Sequence, residues 1–213
     1  MESFDMKRLL ATTVFAAGLA VLNIGSAQAT LISFANPTGS LSTSQTYGPI
    51  TAYGFTGAGS PNMRDLTAAR LFGKSGGGDE TGLGLYRTDD NEINAPAGSQ
   101  AIVLNVSALM GQDLKIGFGS VQNGEGWRVG FSSSATLPTS ESAFGNYVSG
   151  TTDYPALFDF GVRSSRYLIV EATTENVLLS SLSATSVPEP ASMALVGAGL
   201  IGLGCFRRRA GRA

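Results

Sequence analysis

"DLKIGFGSVQNGEGWRVGFSS", residues 113–133, decides how the middle of this chain is read. Leu114, Ile116 and Phe118 alternate with Lys115, Gly117 and Gly119, and Trp127, Val129 and Phe131 alternate with Arg128 and Gly130. A period of two is that of a strand, whose successive side chains point to opposite faces. Asn123-Gly124 between the two runs is turn chemistry, so the stretch predicts a hairpin of two neighbouring strands.

The same alternation recurs outward from this stretch. Ile102, Leu104 and Val106 align in "QAIVLNVS", where Val103 predicts that the second face is also partly covered. "RYLIVEAT" (166–173) and "NVLLSSLSAT" (176–185) add two runs; "LISFA" (31–35), "ITAYGF" (50–55) and "TGLGLYR" (81–87) are shorter. "DLTAARLFGK" (65–74) alternates as a strand does, although its Ala-Ala-Arg-Leu core also suits a helix; the strand reading is preferred. Asn36-Pro37, Ser60-Pro61-Asn62 and Gly76-Gly77-Gly78-Asp79 punctuate the runs. The Ser/Thr-rich residues 132–145 read as a long loop. About eight or nine strands in one domain predict an all-β fold, an antiparallel β-sandwich of jelly-roll-like form.

Composition narrows the function. The chain has 213 residues, 14% of them charged, with 28 glycines, one cysteine and no histidine. Without histidine there is no Ser-His-Asp or Cys-His catalytic system and no imidazole ligand for zinc. A lone cysteine, Cys205, permits no intramolecular disulfide. Between Thr30 and Ser186 eight basic residues face thirteen acidic ones, a net charge of −5. A nucleic-acid binder needs the opposite sign to displace counterions from phosphates.

The two ends are not fold. Lys7 and Arg8 precede an apolar run from Leu9 to Ile24, and Ala27-Gln28-Ala29 offers small residues for a signal peptidase. Residues 1–29 are therefore expected to be a signal peptide cut between Ala29 and Thr30, with an uncleaved anchor as the alternative. Glu2 and Asp5 sit oddly before the basic pair, which suggests a start at Met6 rather than Met1. At the other end, Val187-Pro188-Glu189-Pro190 leads into an apolar stretch, Ala191–Phe206, closed by Arg207, Arg208 and Arg209. That order predicts a membrane segment with its arginines on the cytoplasmic side. The prolines keep the entry extended and accessible to a processing enzyme.

The tripartite tail over residues 187–213 closely resembles the PEP-CTERM sorting signal of Gram-negative bacteria. The resemblance implies a membrane-embedded exosortase that cuts near the Pro-Glu-Pro. The protein would pass transiently through the inner membrane, held by its C-terminal helix, to the cell surface or extracellular matrix. A plain tail anchor is the alternative. Residues 30–186 are then the ectodomain. Its "KSGGGDETGLGL", "DNEI" and "SVQNGEGWRV" also resemble a pattern in other PEP-CTERM ectodomains, where Glu80, Glu92 and Glu125 take the acidic positions. That resemblance places those carboxylates near one another.

The acidic loops are the place to look for chemistry. Asp79, Glu80, Asp89, Asp90, Asn91, Glu92 and Glu125 supply oxygen ligands of the kind calcium takes, though without EF-hand spacing. Solvated acidic loops are the plainer reading. Trp127 is either a core residue or an aromatic for stacking on sugar. A glycosidase pair would need two carboxylates facing each other across a bond. The chain is expected not to be an enzyme. The leading reading is a structural or adhesive protein of the exopolysaccharide or biofilm matrix, with calcium stabilisation as the alternative to plain solvated loops; a lectin-like carbohydrate-binding module comes second and a glycoside hydrolase third.

Overall fold

The computed structural model describes residues 28–57, 65–78, 80–95, 100–122, 124–151 and 157–186. The signal-peptide reading up to Ala27 and the tail from Val187, including Pro188, Glu189, Pro190 and Arg207–Arg209, lie outside the described residues.

The described chain is all-β, and every pairing is antiparallel. The strands are β1 (Ala29–Ser33), β2 (Gly39–Ser40), β3 (Ser44–Tyr47), β4 (Ile50–Gly57), β5 (Leu66–Ala69), β6 (Leu71–Ser75), β7 (Thr81–Leu85) and β8 (Ile93–Asn94). They continue as β9 (Gln100–Asn105), β10 (Asp113–Gly119), β11 (Gly126–Ser132), β12 (Gly145–Gly150), β13 (Leu157–Val162), β14 (Tyr167–Thr174) and β15 (Asn176–Thr185). One sheet runs β13-β10-β15-β7-β6-β2, with β1 and β8 also on β15. The other runs β12-β11-β14-β9-β4-β3, with β5 on β4. From β7 onward the main strands cross between sheets at each connection except β11 to β12, so the central order of each sheet is that of a jelly roll.

This arrangement corrects the hairpin expected at Asn123-Gly124. β10 pairs with β13 and β15, whereas β11 pairs with β12 and β14. The two strands oppose each other across the core instead of lying side by side. Their apolar faces explain why. Leu114, Ile116 and Phe118 from one and Trp127, Val129 and Phe131 from the other join a single buried cluster. Side-by-side pairing would have left the strands in one sheet and the core without its second layer. The 65–74 stretch is likewise two strands, broken at Arg70, with β5 and β6 in different sheets.

A second apolar cluster lies on the β4/β9/β14 side: Phe55, Leu66, Ala101, Val103, Phe144, Tyr167 and Ile169. The alternation of β9 and β14 turns these residues away from Ile102, Leu104, Leu168 and Val170 of the main core. The predicted loop covers this face. Phe144 and Leu137 pack into the cluster, and the Leu66 N–H donates to Thr139 O at 2.9 Å.

Candidate functional site

The densest charged cluster is built by two turns. The β6–β7 hairpin carries Lys74 and Glu80, and its turn is closed by Gly76 N–H to Glu80 O at 2.9 Å. After β7 the chain doubles back. Thr88 Oγ1 donates to Leu85 O and to Glu92 O, at 2.8 and 2.7 Å. Arg87, Asp90 and Asn91 take positive φ values of 63°, 56° and 58°. The returning backbone passes so close over β7 that a Cβ on Gly84 would lie 2.2 Å from Asn91 O, so only glycine fits there.

The fold-back sets Asp90 and Glu92 beside Lys74. Its ammonium pairs with Glu80 Oε2 at 2.5 Å, with Asp90 Oδ2 at 2.9 Å, and with Glu92 Oε1. One oxygen from each carboxylate lies within 4.8 Å of the others. Ser120 Oγ donates to the far oxygen of Glu80 at 2.9 Å, which ties the loop after β10 to the cluster.

Burial grades the cluster. Glu92 is fully buried, while Asp90 is mostly exposed. Burial pushes the Glu92 carboxyl above its ordinary range, against the pull of Lys74. A hydrogen bond from Lys74 holds Glu80 below that range. For Lys74 itself, burial alone would lower the pKa, but the bonds to Glu80, Glu92 and Asp90 win and raise it. The chemistry is that of a fixed internal cation. A lysine stands where a metal ion would draw the same oxygens together.

The proposed calcium ligands therefore separate. Glu80, Asp90 and Glu92 converge, as the sequence pattern suggested for Glu80 and Glu92. Asn91 instead accepts the Arg87 N–H through Oδ1 at 3.0 Å and holds the turn. Glu125 accepts the Gln122 N–H at 2.5 Å and is outside the converging group. Asp79 and the side chain of Asp89 lie outside the described parts. Lys74 heads the sequence pattern, yet its charge was the signal not used.

Of the two readings of Trp127 the structure bears out the core one and removes it as a sugar-stacking candidate. It is fully buried. Phe118 stacks on its ring at 4.4 Å, and Phe158 meets it edge-on at 5.0 Å. Neither face is open to a ligand.

A second polar cluster went unread in the sequence. Arg128 donates from Nε to Glu171 at 2.7 Å and from Nη2 to Glu141 at 2.6 Å, and its guanidinium lies 4.5 Å from the Tyr147 ring centre. Glu171 is fully buried. Arg128 and Glu171 are direct cross-strand partners in β11 and β14. An arginine and a glutamate on the outward positions of two strong strands were the available signal.

Ala29 and Thr30 lie in β1, where they pair with Thr185 and Ala184 of β15. The first and last strands of the described body are thus neighbours. No curated protein matches the sequence. Among the described residues, no helix is long and apolar enough to cross a membrane. Beyond the last strand, residues 186–209 match the PEP-CTERM protein-sorting motif, so the chain carries that sorting signal, which implies export, exosortase processing and sorting to the cell surface.

Proposed function

We propose that residues 30–186 are a non-catalytic structural or adhesive module of the extracellular matrix, released there once the tail is cut. The observation that carries this reading is the engagement of the grouped carboxylates by two fixed cations. Glu80, Asp90 and Glu92 are held by Lys74, and Glu141 and Glu171 by Arg128. Carboxylates so engaged are poor nucleophiles, and they offer calcium a site already filled by an ammonium group. Lys74 takes the stabilising part considered for calcium. The Gram-negative setting and the transient inner-membrane stage belong to this reading through the resemblance of the tail to the PEP-CTERM signal; the arginines supply only the orientation, with the body outside.

The test is fractionation of a producing culture. Matrix-bound protein should begin at Thr30 and lack residues 191–213 by intact mass. Recovery of the mature body free in the medium, with none retained on purified exopolysaccharide, would refute the matrix role.

Carbohydrate binding is the second reading, and one surface favours it. The Arg70 and Arg87 guanidiniums each lie 5.2 Å from the Tyr86 ring centre, and Phe72 stacks on that ring at 6.1 Å. Both arginines are exposed and make no ion pair among the described residues. Exposed guanidiniums held in place on an aromatic ring suit the carboxylate of an acidic sugar. An Arg70→Ala/Arg87→Ala variant that keeps full retention on alginate would count against this reading.

A further inference from the structure

Among the described residues four large hydrophobic side chains are exposed: Leu31, Met110, Leu157 and Val162. Isolated exposed hydrophobics are ordinary on soluble proteins and need no explanation. These are not scattered. Val162 pairs with Asp113, Asp113 with Thr185, and Thr185 with Ala29, so the ends of β13, β10, β15 and β1 form one row. Met110 lies in the turn before β10, which is tied to the β13 end by Gly111 N–H to Arg163 O at 2.9 Å. Leu31 is two residues along β1 from that row, opposite Ser183. That level is midway between the row and Leu157, which stands at the far end of β13 opposite Gly117.

The same row is where the body ends and the sorting motif begins. Thr185 is fixed by its pairing with Asp113, and residue 186 opens the motif. From Ser186 to Ala191 five extended residues reach at most about 18 Å. A body tethered so closely to an apolar stretch that enters a bilayer cannot stand far from the lipid surface.

We propose that this end of the sandwich rests on the bilayer while the sorting motif is attached, with Met110, Val162 and Leu31 in the interfacial layer. The inference rests on the reading of Ala191–Phe206 as a membrane segment. The occupant is lipid, because the tether brings lipid to this end. Arg166, exposed on the connection from β13 to β14, stands on the same side and suits anionic headgroups, whereas Arg163 is half-buried with its guanidinium 4.7 Å from the Phe131 ring centre; Asp113 and Asp159 are the acidic groups near this end, Asp159 paired with Lys115. The opposite end, with Leu157, faces away. Sorting cleavage then frees the whole end at once and leaves its apolar residues available in the matrix.

The experiment uses the mature chain from Thr30 to Ala213, without the N-terminal apolar run, carrying Cys205→Ser and one new cysteine at a time: Met110→Cys, Val162→Cys or Leu157→Cys. All three positions are exposed, so labelling with an environment-sensitive dye leaves the core intact. Vesicles of phosphatidylethanolamine and phosphatidylglycerol carry a nitroxide-labelled lipid. Flotation of the chain with the vesicles tests the membrane segment itself. The expected result is flotation, with a blue shift and several-fold stronger lipid quenching at positions 110 and 162 than at 157. Equal, water-like emission at all three sites on floating protein overturns the proposal and leaves the membrane segment standing. A chain that does not float overturns both. Self-quenching at 162 that disappears on dilution in the vesicle plane overturns it in favour of contact between copies.

Discussion

Phe118 and Trp127 stack ring on ring across the sandwich, 4.4 Å apart with planes 13° from parallel. The turn between them is short, yet the two side chains belong to different sheets. This contact closes the core at the point where β10 hands over to β11. It also makes Trp127 costly to lose. Trp127→Ala should reduce unfolding free energy by about 3–5 kcal/mol, the usual range for a buried aromatic. Urea denaturation followed by Tyr emission measures it, and a loss under about 1 kcal/mol would mean the ring is not packed as described.

Gly150 gives an independent check on the same packing. A Cβ there would lie 2.6 Å from the Trp127 ring. Overpacking of this kind typically costs about 1–3 kcal/mol. Gly150→Ala should be destabilising in the parent and nearly neutral in a Trp127→Ala background. Additive losses would show that the two residues do not meet.

How much of this was legible in the sequence depends on what each residue needs to know. Period-two alternation fixes which side of a strand faces the core, so β9, β10, β11, β14 and β15 were readable from their own residues. Alternation carries nothing about which strand lies alongside. The Asn123-Gly124 turn therefore looked like a hairpin, although both flanking faces were apolar enough to oppose each other. β3 and β12 are partly exposed and poor in alternation, so the pattern does not find them; β13 does alternate, with Phe158 and Phe160 toward the core and Asp159 between them, but over too few residues to stand out. The acidic site was half legible: the carboxylates were in plain view, but their engagement with Lys74 depends on the fold-back over Gly84, which no local pattern reports.

The strap over the outer face should respond to one charge. Glu141 holds the 133–144 segment to the sheet through Arg128. Glu141→Gln weakens a partly exposed ion pair and should cost no more than about 1 kcal/mol overall. Its effect should be local. The Leu66 amide, which donates to Thr139, should exchange faster, while the core amide of Val170 should not. Arg128→Met is different in kind. It leaves Glu171 buried without that partner, and a broken buried pair costs about 3–5 kcal/mol. Equal effects from the two variants would mean that Arg128 serves Glu171 no more than it serves the strap.

Calcium offers a test of Lys74 as the internal cation. With Lys74 in place, addition of calcium or chelator should leave the melting temperature unchanged. Lys74→Ala removes the ammonium and leaves three carboxylate oxygens within 4.8 Å of one another. Calcium, which takes oxygen ligands of this kind, should then raise the melting temperature of the variant alone. A calcium-dependent melt in the parent would reverse the assignment.

The pH dependence of the cluster follows from its two opposed carboxyls. Glu80 is held below its ordinary 4.5, so its contribution is present above that value and fades as pH falls through the lowered one. Glu92 is held above 4.5 by burial, so its effect has the opposite sign. The folded state keeps its proton longer than the unfolded chain does. Stability from that proton is full below 4.5 and is lost as pH rises through the raised value. In the parent, Lys74 softens this loss by compensating the ionised Glu92. Lys74→Met removes the compensation. The variant should be closest to the parent in acid and fall further behind as pH rises, because Glu92 must ionise in a dry site or stay protonated at growing cost. Adding Glu92→Gln supplies a neutral side chain of the same shape and should flatten the profile. Chemical denaturation from pH 4 to 8 on the parent, Lys74→Met and the double variant decides the matter: a Lys74→Met deficit that does not change with pH would mean Glu92 is not the group its loss exposes.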